Sequence, residues 1–404
     1  MSTSILYHAF GVIGYEFKKT RFEAGSIVFE IRHKEGSLRC STCRCSSVIC
    51  RGSFLRRFRT LPIGGRPVFI ELHVQRIECG RCGKIRQTEI GFAEERVSYT
   101  KRFQRFVLDL LRLMTIQDVA KHLGVSWDVV KGIQKDDLTK RYSRPSLKGL
   151  RRLAIDEIAV RKGHRYLTVV MDLDTGAVVF VGDTRGHEAL DPFWKMLGRR
   201  KNAIEAVATD MGAAYLLAVR ENLPNAVHVL DHFHVVKSFN DKLSELRRQL
   251  YREATDVLQK KVLKGTRWLL LKNPDHLEPS KKEDRRLEEA LLLNKPLATA
   301  YYLKEDLRTL WTQHSKEKAE KSLDAWIRKA ESTDIRILHT FAKTLQTHRN
   351  AILAYYDYPI STGPLEGMNN KIKTMKRMAY GFRDIEFFKL RILAIHEAKY
   401  ALVG

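Results

Sequence analysis

No apolar run in this chain approaches the roughly 18 residues that a membrane-spanning helix needs. Met1 to Gly25 lacks the charged-then-apolar pattern of a secretory signal. Cysteine is missing everywhere except between Cys40 and Cys82, where all six residues fall. That clustering argues for metal and against a secreted disulfide scaffold. Acidic residues are outnumbered, 47 Asp plus Glu against 72 Lys plus Arg, for a formal charge of +25. So large an excess points to a polyanionic partner. There is no internal repeat, no low-complexity segment and no coiled-coil heptad. What is present, with 44% hydrophobic residues, is enough to bury a core, and 404 residues suggest two or three domains. The expectation is a cytoplasmic, folded protein with no membrane partner.

Cys40-x-x-Cys43 and Cys79-x-x-Cys82-Gly83 are two knuckles that together offer four thiolates, the ligand set of one tetrahedral structural Zn²⁺. Short alternating apolar runs in residues 4–35, such as Ser26 to Ile31, read as strands. Phe54 to Ile77 alternates around Pro62-Ile63-Gly64-Gly65 and predicts a β-hairpin. Residues 1–98 therefore read as a zinc-ribbon-like β domain. The gap between the knuckles is longer than usual, and Cys45 and Cys50 are extra. The first knuckle is Cys40 with Cys43 or a pair using Cys45; buried free cysteines are the plain alternative.

Residues 99–148 read as a helix-turn-helix. Thr115 to Leu123 is one amphipathic helix, Gly124-Val125-Ser126 a turn, and Ser126 caps a second helix through about Leu138. Trp127, Lys131 and Lys135 project from that helix at i, i+4 and i+8 as candidate DNA contacts. A helical hairpin with no ligand is the alternative.

Residues 149–236 are mixed α/β. Arg152 to Val160 is a strand carrying Asp156. Tyr166 to Met171 and Ala177 to Val181 are joined by the turn Asp172-Leu173-Asp174-Thr175-Gly176. Ala203 to Thr209 ends at Asp210, a helix spans Met211 to Asn222, and Ala226 to Leu230 ends at Asp231-His232-Phe233-His234. Three strands, helix, strand, helix, strand, opening with an antiparallel meander, is the order of the ribonuclease-H-like fold. Residues 237–350 then become helical and densely charged, an all-helical insertion. Residues 351–404 return to the catalytic core with a glutamate-bearing helix and a last helix from Phe387 to Leu402.

In that strand order the first and fourth strands are neighbours, so Asp156 and Asp210 converge. Glu366 sits on the returning helix, which Ser361 or Thr362 caps and whose first turn suits Pro364. Leu365, Met368, Ile372 and Met375 form its apolar stripe. Asn370, Lys373 and Arg377 follow Glu366 on one face, with Lys376 nearby, as candidate DNA contacts. Three carboxylates can hold two Mg²⁺ (or Mn²⁺) ions about 3.5–4 Å apart for in-line displacement at phosphorus. Glu157 should point to the opposite sheet face, and Asp172 and Asp174 belong to the turn. Asp231 and His234 form an Asp-x-x-His pair read as structural or supporting. Trp268, Trp311 and Trp326 in the insertion suit core packing better than base stacking.

With these residues assembled, the chain resembles the transposases of the bacterial insertion-sequence family ISL-three over its full length. The resemblance rests on the paired knuckles, Ile155-Asp156-Glu157-Ile158-Ala159 with Arg161-Lys162-Gly163-His164, and Thr209-Asp210-Met211. It continues in Asp231-His232-Phe233-His234-Val235-Val236-Lys237, Glu366-Gly367-Met368-Asn369-Asn370-Lys371-Ile372-Lys373 and Ala379-Tyr380-Gly381-Phe382. It implies a DDE transposase with Asp156, Asp210 and Glu366 as the triad, and N-terminal modules that recognise terminal inverted repeats of double-stranded DNA. Hydrolysis at the element's end would free a 3′-hydroxyl that attacks target DNA. Joining two ends implies a homodimer or higher oligomer. The rivals are a sequence-specific regulator with an inert catalytic-like domain and a ribonuclease-H-like nuclease that cuts without joining.

Overall fold

The computed structural model describes residues 4–161 and 165–397. They divide into two compact units, one ending at Ser143 and the other spanning Arg144–Glu397. Lys162-Gly163-His164 and the predicted helix beyond residue 397 lie outside the described residues.

The first unit opens with a short helix, α1 (Ile5–His8), where strand was expected. Leu6 is buried within that turn and Phe10 just beyond it, a four-residue spacing that both a helical turn and a strand satisfy, so the pattern alone does not separate the two. Strands β1 (Tyr15–Glu23), β2 (Ser26–His33), β3 (Val48–Ile63), β4 (Arg66–Cys79) and β5 (Ile85–Gln87) follow. They pair in the order β1-β2-β4-β3, with β5 added to β4; only β2 and β4 run parallel. The β3–β4 hairpin closes at Ile63 and Arg66 over Gly64 and Gly65. Their φ values of 57° and 76° are what a two-residue hairpin turn with matched twist requires.

Three capped helices complete this unit: α2 (Lys101–Leu110), α3 (Ile116–Leu123) and α4 (Trp127–Tyr142). Thr100, Thr115 and Ser126 each accept the backbone N–H three residues on. Gly124 ends α3 in the left-handed conformation that lets the chain reverse. Phe103, Val107, Val119, Leu123, Val130 and Ile133 form their common core. The last helix runs one turn past Leu138 because Leu138 and Tyr142 are both buried on one face.

The second unit is built on a mixed sheet of β6 (Arg152–Arg161), β7 (Arg165–Asp172), β8 (Val178–Asp183), β9 (Ala206–Thr209) and β10 (Val227–Leu230). Its order is β10-β9-β6-β7-β8. The first three strands in sequence form an antiparallel meander, and β9 and β10 add parallel to β6. Alternation along β6 divides its side chains. Leu153 and Ile155 face α5 (Asp191–Leu197) and α6 (Ala213–Asn222), sharing a core with Phe193, Trp194, Tyr215 and Val219. Ala154 and Ile158 face α14 (Gly363–Met378) and α15 (Ile385–Leu393). There Leu365, Met368, Ile372 and Met375 seat the glutamate-bearing helix on the sheet.

Between β10 and α14 lie seven α-helices: α7 (His232–Glu253), α8 (Val257–Gly265), α9 (Glu283–Leu293), α10 (Lys295–Arg308), α11 (Lys316–Glu331), α12 (Arg336–Thr347) and α13 (Arg349–Leu353). They share one apolar core that includes Phe239, Leu303, Trp326, Phe341 and Leu345. Helix begins at His232, earlier than the expected 237, because the Asp231 carboxylate accepts the Phe233 N–H and caps it there.

Candidate active site and metal centre

Asp156 has the same parity on β6 as Ala154 and Ile158, so it faces α14. The β6–β9 ladder pairs Ala154 with Ala208 in parallel. Continued by two residues, that register brings Asp156 level with Asp210, just past the end of β9. Asp156 Oδ1 accepts the Glu157 N–H at 2.7 Å, and Oδ2 accepts from Asn369 Nδ2 at 2.8 Å. Burial raises the Asp156 pKa. The Glu157 amide and the nearby His234 oppose the rise, while Asp210 and Glu157 add to it. His234 and Asp210 therefore both stand within electrostatic range of Asp156. Glu157 points to the other face, where its Oε1 accepts from the Tyr215 hydroxyl at 2.8 Å.

Asp210 begins the turn into α6, and its Oδ1 accepts the Gly212 N–H at 2.9 Å. A Cβ at Gly212 would meet that oxygen at 2.9 Å, so glycine is needed for the close approach. Thr209 locks Asp210 from behind. Its hydroxyl donates to the Asp210 carbonyl at 2.8 Å, so His228 Nε2, 2.7 Å away, must be the donor to Thr209 Oγ1. His228 is then the neutral Nε2–H tautomer, in keeping with burial pushing its pKa down to about 4.

Glu366 is exposed in the first turn of α14. Two contacts place that helix. Asn369, buried and one turn beyond Glu366, holds Asp156. Asp231, also buried, accepts through Oδ2 from the Thr362 N–H at 2.7 Å and from the Thr362 hydroxyl, while its Oδ1 caps α7. One carboxylate thus ties the chain after β10 to the residue that precedes the glutamate helix, 131 positions away. Among the described residues, the three acids do not form a cluster whose ligand oxygens all lie within 4.8 Å. Asp156 and Asp210 stand level across the β6–β9 pairing, and Glu366 lies one helical turn before the Asn369 that holds Asp156.

Lys376 differs from the sequence expectation. Leu365, Asn369, Ile372 and Lys376 lie along one helical row, so Lys376 turns toward the sheet and donates to the carbonyls of Ala159 and Val160, both at 3.1 Å. Asn370, Lys373 and Arg377 are exposed on the opposite row with Glu366. Asn369 and Thr362 were missed by the sequence reading. The signal for Asn369 was a polar residue on the apolar row; Thr362 had none beyond its capping propensity.

In the first unit the four sulfurs of Cys40, Cys43, Cys79 and Cys82 all lie within 4.8 Å of one another. Cys40 and Cys82 sulfurs are 3.7 Å apart, and those of Cys43 and Cys79 3.5 Å. A tetrahedron of thiolates about 2.3 Å from a Zn²⁺ ion has edges of about 3.8 Å, so the set fits a metal ion. The two knuckles repeat one backbone pattern. Arg44 N–H donates to the Cys40 carbonyl and Gly83 N–H to the Cys79 carbonyl, both at 2.9 Å, with φ of 60° and 65°. Backbone N–H groups of Cys43 and Thr42 hold the Cys40 thiol down at about 6, and those of Cys82 and Arg81 lower Cys79. Cys45 contributes its carbonyl to Cys40 N–H instead of a sulfur, and Cys50 is exposed.

On α4, Trp127 is exposed and Lys131 Nζ lies 5.4 Å from its ring centroid; Lys131 and Lys135 are half-buried. Asp172 serves its turn, accepting from Asp174 N–H and the Thr175 hydroxyl. Trp326 is buried and donates to the Leu303 carbonyl, Trp311 packs against His232, and Trp268 is exposed beneath Arg267.

Two family models match the chain. One, described as a transposase and belonging to the DDE domain of family ISL3, covers residues 153–392. The other, the helix-turn-helix domain of transposase family ISL3, covers residues 88–137. The chain is 35% identical over 360 residues to the transposase for insertion sequence element IS1001 of Bordetella parapertussis, covering 88% of each. It is 30% identical over 390 residues to the transposase for insertion sequence element IS1557 of Mycobacterium tuberculosis, covering 90% of this chain and 86% of that one. A local match to an ATP-dependent protease of Lactococcus lactis, 52% identical over 60 residues, covers 15% of this chain and carries no functional argument.

Proposed function

The chain belongs to the DDE transposase family ISL3 and is a DNA transposase, and from that premise we propose how its parts divide the work. Residues 1–98 form a zinc-ribbon-like domain and 99–148 a helix-turn-helix; both bind the terminal inverted repeats. Residues 149–236 and 351–404 form a ribonuclease-H-like catalytic core, and 237–350 are its insertion. The sheet order β10-β9-β6-β7-β8, with an antiparallel meander followed by two parallel strands, supports that fold.

The catalytic residues are Asp156, Asp210 and Glu366. The observation that carries this reading is the convergence of Asp156, Asp210 and the first turn of α14 on one end of the sheet. A pair of divalent cations, Mg²⁺ or Mn²⁺, supplies when bound the stabilisation of entering and leaving oxygens in an in-line displacement at phosphorus. Asn369 fixes the Asp156 carboxylate by occupying Oδ2. Glu366, exposed in the first turn of α14, completes the site. Lys373, Arg377 and Asn370 hold the backbone of the bound strand, a contribution that is salt-dependent and blind to sequence. Trp127, Lys131 and Lys135 of the helix-turn-helix contact the repeat. One Zn²⁺ held by Cys40, Cys43, Cys79 and Cys82 is structural. The protein acts as a homodimer or larger assembly, in the cytoplasm where its DNA lies. No described helix is long and apolar enough to cross a membrane.

Incubation of the full chain with labelled DNA bearing the element's own ends, target plasmid and Mg²⁺ or Mn²⁺ tests this. Cuts at the ends followed by joined products are expected. Binding without cleavage under either metal would favour an inert regulator, and cleavage without joining a nuclease.

Asp231 and His234 support the site without reacting. Asp231→Asn removes a charged acceptor from two donors of Thr362, each such bond being worth roughly 1.5–3 kcal/mol. The variant is expected to lose end cleavage by tenfold or more at a temperature well below its unfolding midpoint, while DNA affinity persists. Thr362→Val, which keeps the backbone donor, should fall between. Cleavage at the wild-type rate by Asp231→Asn would show that this tether does not place Glu366.

A further inference from the structure

At the far end of the glutamate helix, Tyr380 is fully exposed, at 101%. Its φ is +51°, a conformation that a bulky residue rarely adopts. The turn that holds it is firm. Tyr380 N–H donates to the Arg377 carbonyl at 3.0 Å and Gly381 N–H to the Lys376 carbonyl at 2.9 Å, closing the helix end. Phe382 then stacks on the buried Phe388 with centroids 4.5 Å apart, anchoring the chain immediately after the turn. A helix could end this way with glycine or asparagine at position 380 and no exposed ring. An outlier so firmly held around a wholly exposed aromatic side chain calls for a ligand outside the chain.

Its surroundings name the chemistry. Met378 is exposed beside it, and Arg377 and Arg383 are exposed cations with no carboxylate partner among the described residues. Glu366, Asn370, Lys373 and Arg377 succeed one another at helical spacing, so an acidic start and a cationic middle lie along one exposed row of α14, and the aromatic Tyr380 follows just past the helix end at Met378. An exposed ring with an exposed arginine three residues to either side in sequence matches a base and its neighbouring phosphates: every base has a π-face, and the charges are complementary.

We propose that Tyr380 is a stacking platform for an unstacked nucleobase of the transposon-end DNA, with Arg377 and Arg383 on the adjoining phosphates. This rests on the assignment of Glu366 to the catalytic site only for its distance. Twelve helical steps from Glu366 to Met378 at about 1.5 Å each span about 18 Å, and the two residues past the helix end bring the separation to about 20 Å, or about six nucleotides of B-form spacing. The stacked base therefore lies about six nucleotides from the cleaved phosphate.

The test uses the full chain and end DNA in which the fluorescent base 2-aminopurine is stepped outward from the cleavage site, without divalent metal. Wild type is expected to change the probe's fluorescence at a position about six nucleotides from the cut. Tyr380→Phe should keep both that signal and the affinity. Tyr380→Ala should lose the signal and bind about tenfold more weakly, the scale of one lost stacking contact. An unchanged signal and affinity in Tyr380→Ala would overturn the proposal. So would a change confined to the oligomeric state of DNA-free protein, which would make the ring a contact between protein chains. Binding is read without chemistry, so the two readings fail separately. If Glu366→Gln still cleaves, only the six-nucleotide distance loses its reference, and the loss of signal in Tyr380→Ala stands or falls by itself.

Discussion

Glu366→Gln is expected to lower metal-dependent end cleavage by about 10³-fold, a barrier increase of ~4 kcal/mol, while DNA binding stays within about twofold of wild type. The substitution keeps the shape of the side chain and removes its charge. Glu366 is exposed and makes no side-chain hydrogen bond among the described residues, so no packing is disturbed. Its only local role is a carboxylate near the start of α14, worth roughly 0.3–1 kcal/mol with the helix dipole. That is far below the expected loss of activity, so a melting curve near that of wild type would separate chemistry from folding. Gel shift and cleavage of the same labelled ends check the result. Equal cutting by mutant and wild type would place the third carboxylate elsewhere. The pair Asp231 and Thr362 would then orient a helix whose business is binding alone.

Removing the metal proposed at the four cysteines is expected to have the other large effect. Cys79→Ser, or a strong chelator acting on wild type, should release one zinc per chain and unfold the ribbon. Structural zinc contributes roughly 10–16 kcal/mol in small domains, comparable to or larger than the roughly 5–15 kcal/mol that keeps a whole domain folded. The geometry explains why serine fails. Cys79 is buried, its sulfur sits 3.5 Å from that of Cys43, and backbone N–H groups already favour its thiolate. A hydroxyl at that place does not ionise near neutral pH. End binding should be lost, and a melting transition belonging to the second unit should persist, since the two units are separately compact. Cys45→Ser and Cys50→Ser should retain zinc, because neither sulfur belongs to the cluster. Metal analysis with thermal melting checks all four proteins. Retention of one zinc and an unchanged melting curve by Cys79→Ser would overturn the ligand set.

Local signals carried far in this chain. The hairpin at Gly64-Gly65, the capped helices after Thr115 and Ser126, and the turn around Asp172 depend on neighbours in sequence, and each stands where its residues predict. The apolar row Leu365, Met368, Ile372 and Met375 likewise told which side of α14 would be buried. It did not tell how far around the helix the burial would reach. Asn369 and Lys376 lie on the margin of that row, and only packing against β6 turned them inward, to Asp156 and to the carbonyls of Ala159 and Val160. A charged residue on a helix reads as solvated unless a strand end presents it with acceptors.

By itself, the sequence determined the paired cysteine knuckles, most of the order of strands and helices, and three candidate acids, one within a strand, one just past a strand end and one in the first turn of a helix, because period and spacing are properties of the local chain. The tertiary structure decided the rest. It chose Cys43 over Cys45, since a knuckle's sulfurs must converge from two distant turns within a few ångströms. It joined Asp231 to Thr362 across a whole helical insertion, a contact that no local pattern encodes. It also left Tyr380 standing alone in solvent, since only a complete fold shows which residues nothing covers.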